Sequence, residues 1–146
     1  MRSEWRRSRA TAARANGMGN ARSAVTVQSV VSHGGTFNGV TLLSPHTIGL
    51  IFEEQANGTD LCLGIPIRWG IGYALSNKAL IPYLPDGRLC FWSGWGGSIV
   101  VNDLDRRMTF AFIMNKMEGG EIGGVHGIVG GVRAESLIRA LYRALG

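Results

Sequence analysis

The stretch Phe91-Trp92-Ser93-Gly94-Trp95-Gly96-Gly97-Ser98 runs directly into the apolar Ile99-Val100-Val101, and its reading governs the rest of the chain. Three glycines among two tryptophans, one between them and two after, let a backbone turn sharply and approach a neighbour with no Cβ in the way. One reading is a twisted, tightly packed strand entry with two core indoles. The other is the wall of a cleft. Downstream, residues 98–102 and 107–115 read as two strands joined by the turn Asp103-Leu104-Asp105-Arg106. In the second, Met108, Phe110, Phe112 and Met114 fall on one face, with Thr109, Ala111, Ile113 and Asn115 on the other. Both faces are mostly apolar, so this strand is expected to be covered on both sides. A glycine-rich loop is expected over 119–131. Residues 133–145 then place Ala134, Leu137, Ile138, Leu141 and Leu145 at helical spacing, an amphipathic helix suited to a sheet face.

Upstream, the spacing of Ala21, Ala24, Val25, Gln28, Val31 and Ser32 predicts a helix over 19–33, stopped by Gly34-Gly35. Ser44-Pro45 starts a second helix, serine as N-cap and proline at its first position, expected to run to about residue 54. Residues 56–60 read as a loop, and residues 68–75 as a single strand with close backbone neighbours at Gly70 and Gly72. Pro82, Pro85, Asp86 and Gly87 mark an exposed loop. There is no internal repeat and no linker between two cores. The order of helices, antiparallel hairpin and closing helix gives an α+β class, with helices covering a sheet.

The chain has 146 residues, 45% of them hydrophobic, enough for one compact domain. The formal charge of +5 is confined to the start. There Arg2, Arg6, Arg7, Arg9, Arg14 and Arg22 face only Glu4, and the remainder is balanced. Phosphate recognition needs cations on one folded face, so no nucleic-acid partner is expected, and residues 1–15 read as a solvated, disordered tail. No 7–15-residue apolar stretch follows Arg6-Arg7, so no export signal is read and the expected location is cytoplasmic. No run is long enough to span a bilayer, so no membrane partner is expected. Cys62 and Cys90 read as free, buried thiols rather than a disulfide framework. His33, His46 and His126 lack zinc-type spacing and read as turn or surface residues. Neither metal nor cofactor is expected.

A Ser-x-x-Lys nucleophile needs a lysine one helical turn after the serine. The only lysines, Lys78 and Lys116, follow Leu75 and Ile113 at that distance. A Gly-x-Ser-x-Gly elbow is absent too, since Ser98 has Gly96 before it but Val100 after it. Phosphate-binding glycine loops do not occur.

From Asn16 onward, five segments resemble, in order, the last third of family VIII-type carboxylesterases, relatives of class C β-lactamases and penicillin-binding proteins. They are the run from Asn16-Gly17-Met18-Gly19 to Ser23, Gly39-Val40 with Leu42-Leu43-Ser44-Pro45, Arg68-Trp69-Gly70-Ile71-Gly72-Tyr73, the tryptophan–glycine run, and Val101-Asn102-Asp103 through Met114-Asn115-Lys116-Met117. The resemblance implies a partial β-lactamase-like fold over 16–146 and a serine hydrolase acting on carboxylic esters through an acyl-enzyme. Trp92-Ser93-Gly94 matches the Trp-x-Gly form of the motif lining the cleft's far wall in esterase-like members. The N–H of Trp95 would then be one oxyanion-hole donor. Trp92 in place of a cation disfavours a lactam carboxylate and favours neutral esters. The site residues implied are therefore Trp92, Ser93, Gly94 and Trp95, with no catalytic residue in this chain, because the nucleophile and tyrosine motifs would lie before residue 16. The expected partner is a small ester or lactam substrate once an N-terminal part completes the cleft. Uncovered apolar surface would favour self-association. The alternative is a non-catalytic remnant or interaction module of the same fold, and either way the chain alone is expected to be inactive.

Overall fold

A computed structural model describes residues 19–117 and 129–146; the expected tail and most of the glycine-rich loop lie outside them. The described elements are α1 (Ala21–Ser32), β1 (Thr36–Phe37), β2 (Val40–Thr41), α2 (Pro45–Leu50), β3 (Ala56–Thr59), β4 (Pro66–Trp69), β5 (Ala74–Leu75), β6 (Leu89–Ser93), β7 (Ile99–Asp103), β8 (Met108–Phe112) and α3 (Gly131–Leu145). Strands β3 to β8 form one antiparallel sheet in chain order, and β1 and β2 form a separate hairpin. The class is α+β, as expected.

Local chemistry accounts for the helix starts. Asn20 caps α1 by accepting from Ser23 N–H at 3.0 Å, and Ser23 Oγ accepts from Asn20 N–H at 3.0 Å. Ser44 Oγ accepts from Thr47 N–H at 3.0 Å, with Pro45 at the first turn of α2. That helix ends at Leu50 rather than near residue 54. The carbonyl of Ile51 is taken by Ile71 N–H at 3.2 Å, and a Cβ at Gly70 would stand 2.0 Å from the same oxygen. Only glycine lets the turn after β4 press this closely on the helix end.

The same turn corrects the single strand expected over 68–75. Gly70 N–H bonds Tyr73 O at 2.9 Å, and Trp69 pairs with Ala74, so the segment is two strands and a turn. Residues 56–59, expected as loop, form the edge strand β3, paired from Ala56↔Trp69 to Thr59↔Pro66. All four are exposed, so no alternation of polarity advertised them. The final hairpin pairs Ile99↔Phe112 through Asp103↔Met108. β8 stops short of residue 115 because Met114 N–H is diverted to Ser98 Oγ at 3.1 Å.

Alternation along the strands splits the core into two layers. Leu89, Phe91, Ala74, Ile99 and Val101 pack with Ala134 and Ile138 of α3, while Cys90 and Leu75 join Val31, Ile48 and Ile51 on the other face. Helices thus lie over both faces near β8, as expected. Its five residues are nonetheless only half-buried, because β8 is the last strand of the described sheet.

Asn102 and Asp103, adjacent on β7, are both fully buried. Asn102 Nδ2 donates to Gln28 Oε1 of α1 at 2.9 Å, and its Oδ1 accepts from Thr109 Oγ1 at 2.9 Å. Thr109 Oγ1 in turn meets Ser32 Oγ of α1 at 2.8 Å. Asp103 accepts from Tyr142 Oη of α3 at 2.9 Å, from Arg106 N–H at 3.0 Å and from the Arg106 guanidinium at 3.1 Å. Burial, with the Asp103 carboxylate beside it, raises the Tyr142 pKa and keeps the phenol a donor.

Tyr142→Phe and Asn102→Ala each strip partners from this arrangement, and each is expected to cost about 1–3 kcal/mol in urea unfolding. An unchanged unfolding midpoint for Tyr142→Phe would show that Asp103 does not anchor α3.

Candidate active-site wall

The tryptophan–glycine run spans the end of β6 and the turn into β7. Trp92 and Ser93 close β6, and β7 resumes at Ile99. The turn is pinned by Gly94 N–H to Ser98 O at 2.8 Å and by Gly97 N–H to Gly94 O at 3.2 Å. Gly96 has φ +99, and a Cβ there would meet the Met117 side chain at 2.9 Å, so a side chain is excluded on both counts. Trp95 therefore sits at the tip of a fixed turn, outside the ladder.

The two indoles differ. Trp95 is 58% exposed. Trp92 is half-buried, its ring 4.7 Å from that of Trp69. The Trp69 indole N–H reaches Asp60 Oδ2 at 3.1 Å, and Asp60 Oδ1 accepts from the N–H of Cys62 and Leu63, which hold its carboxyl below the usual range. The run is thus not a strand entry with both indoles sealed in the core.

Beside the turn lies a hollow of about 300 Å³, bordered by Trp92, Ser93, Gly94 and Ser98 and by Tyr73 and Gln28. Three of the four residues singled out by sequence therefore border one space; the fourth, Trp95, follows them in the turn but is not among the residues bordering it. Tyr73 and Gln28 had no assigned role. Tyr73 closes the Arg68–Tyr73 segment, and Gln28 lies on the inward face of α1, so their positions were readable but their meeting was not. Tyr73 Oη donates to Gln28 Oε1 at 2.8 Å. Burial raises the Tyr73 pKa, against the opposing effect of that hydrogen bond, so the phenol is held neutral.

The two described histidines stand elsewhere. His33 caps α1, its Nδ1 2.9 Å from Ser29 O and 3.0 Å from Ser32 Oγ. His46 is exposed on α2, and His126 lies outside the described residues. Among the described residues no group of three or more His, Cys, Asp or Glu side chains could hold a metal ion. No helix among them is long and apolar enough to cross a membrane.

Two solved structures are similar to this chain in fold. A family VIII carboxylesterase superposes with a TM-score of 0.74 at 31% identity, over 86% of this chain and 31% of that one. A penicillin-binding protein homologue from Caulobacter crescentus gives a TM-score of 0.68 at 31% identity, over 81% of this chain and 30% of that one. The fold is a partial β-lactamase-like one, consistent with the C-terminal part of that architecture. Within it the chain is similar to the family VIII carboxylesterase and to the penicillin-binding protein homologue, and it spans about 30% of their length. No family model matches the sequence, and no curated protein matches it.

Both cysteines are free, but only Cys90 is buried; Cys62, expected inside, is exposed in the β3–β4 loop. Burial pushes the Cys90 thiol up to about 12. Iodoacetamide at pH 8 is expected to modify Cys62 in the native protein and Cys90 only in urea, read as one and then two adducts by mass spectrometry. A thiol is uncharged when protonated, and in the unfolded chain it ionises near about 8.5. The Cys90 contribution to stability is therefore complete below that pH and declines as pH rises towards 12. Cys90→Val should flatten that alkaline loss.

Proposed function

We propose that this chain forms one wall of the acyl-transfer cleft of a serine hydrolase acting on carboxylic esters, with the nucleophile supplied by polypeptide outside these residues. The observation that carries the reading is the β6–β7 turn. It places Trp95 between β6 and β7, outside both strands, and the preceding Trp92, Ser93 and Gly94 border a hollow. A fixed amide in such a turn can stabilise the oxyanion of a tetrahedral intermediate, typically by a few kcal/mol of barrier. In the resemblance, Trp92 takes the motif position that is a lysine in many lactamases, which supports a neutral ester over a lactam carboxylate. Likeness to a carboxylesterase and to a penicillin-binding protein homologue supports this class.

With no Ser-x-x-Lys in its sequence, the chain alone has no activated serine, so a fluorophosphonate probe should leave it unlabelled. Joined to a polypeptide carrying that motif, the assembly should label on the supplied serine. Trp95→Pro, which deletes the N–H, should then slow acylation about 100-fold or more. An unchanged acylation rate would refute the oxyanion assignment. The second reading, a non-catalytic module that associates through apolar surface, is favoured by the exposure of Val27, Leu137 and Leu145. It calls for a defined oligomer in sedimentation and no labelling in any assembly.

A further inference from the structure

On the face of the sheet that α3 covers, Tyr83, Arg139, Tyr142 and Arg143 border a hollow of about 320 Å³. It shares no bordering residue with the hollow beside the β6–β7 turn. Residues three and four apart are neighbours on a helix, so Arg139, Tyr142 and Arg143 come to one side of α3. Tyr83 belongs to the proline-flanked loop between β5 and β6, and with Tyr142 it packs against the α3 layer of the core. Both phenols are half-buried and both arginines exposed. Tyr142 Oη is committed to Asp103. Tyr83 Oη reaches the Val129 carbonyl only at 3.5 Å, the outer limit of a hydrogen bond. Burial pushes the Tyr83 pKa up to about 12, so this phenol stays a neutral donor.

Three guanidiniums surround the two rings. Arg106 lies over Tyr142 and is paired with Asp103, while Arg139 lies over Tyr83 and gives its Nε to Glu135 at 2.7 Å. The Nη groups of Arg139 and the whole guanidinium of Arg143 have no hydrogen bond or ion pair among the described residues. Like charges one helical turn apart repel. A cation in the last turn of a helix suits its dipole. That accounts for Arg143, but not for Arg139 a turn earlier or for the phenols that share the space.

We propose that this hollow binds a small aromatic monocarboxylate, its carboxylate held by Arg139 and Arg143 and its ring against Tyr83 and Tyr142. A planar guanidinium fork matches the two oxygens of a carboxylate. One unmatched guanidinium calls for one negative charge, and a second would meet the Glu135 carboxylate beside Arg139. The volume lies at the small end of ligand sites, with room for one ring and its carboxylate. Aromatic walls favour an aromatic body through area and ring–ring contact. The site is independent of the acyl-transfer reading.

The test titrates the 146-residue chain with benzoate, acetate, benzyl alcohol and terephthalate. Calorimetry reads the affinity, and the urea midpoint reads the stabilisation that binding to the folded form gives. Benzoate should saturate and bind at least about tenfold tighter than acetate, which lacks the ring. It should exceed benzyl alcohol, which lacks the charge, by a similar factor. Terephthalate should bind no tighter than benzoate. Arg143→Gln removes no partner from the described fold, and it should weaken benzoate about fivefold or more. Arg139→Gln should do the same, and Arg143→Glu should abolish binding. Arg22→Gln, which removes an exposed cation of α1, should leave the affinity unchanged. Binding that does not saturate overturns the proposal, as does acetate binding as well as benzoate. So does tighter binding of terephthalate, or an affinity for benzoate that neither glutamine substitution on α3 moves.

Discussion

Two neighbouring residues of β7 hold the helices in place. Strand geometry sends the side chains of Asn102 and Asp103 to opposite faces of the sheet, and both are fully buried. A buried amide or carboxylate is costly unless its polar atoms are paired. The pairing is specific: Asn102 with Gln28 of α1 and Thr109 of β8, Asp103 with Tyr142 of α3 and Arg106 of the hairpin turn. Apolar contact alone would let either helix slide along a greasy face. These hydrogen bonds are met at one register only. Gln28 also accepts from Tyr73, so the same anchor places a border of the candidate site.

The turn after β6 depends on that frame. Its backbone is closed by two internal hydrogen bonds and backed by Met117 at Gly96, so its amides point where the scaffold sets them. Electrostatic stabilisation of a transition state needs dipoles oriented before the reaction begins. A strand–turn–strand element is a better carrier for them than a free loop. The sequence carries no Ser-x-x-Lys, and the solved structures that share the fold are about three times as long.

Much of the fold was legible without coordinates because its signals are local. Helix starts at Asn20 and Ser44 rest on side chains bonding their own first turns, and the β7–β8 hairpin rests on apolar runs flanking a turn. The failures share one cause. β3 has no buried residue, and pairing with β4 alone makes it a strand. α2 ends early because a turn some twenty residues away in sequence takes its carbonyl. β8 ends early because Ser98 takes an amide that the ladder would have used. Cys62 is exposed in a loop whose turn is set by the Asp60 carboxylate, which accepts from the Cys62 and Leu63 N–H groups.

For the site, the amino-acid order by itself determined that tryptophans and glycines would meet in one tight turn leading into an apolar strand. It also determined that no Ser-x-x-Lys accompanies them. Chain neighbours and glycine's missing Cβ suffice for that. Only the tertiary structure decided that one indole packs at a tilt against Trp69 while the other faces solvent, and that Tyr73 and Gln28 border the same hollow. Those facts depend on which strands pair and on where α1 is pinned, and contacts between residues far apart in sequence leave no local pattern to read.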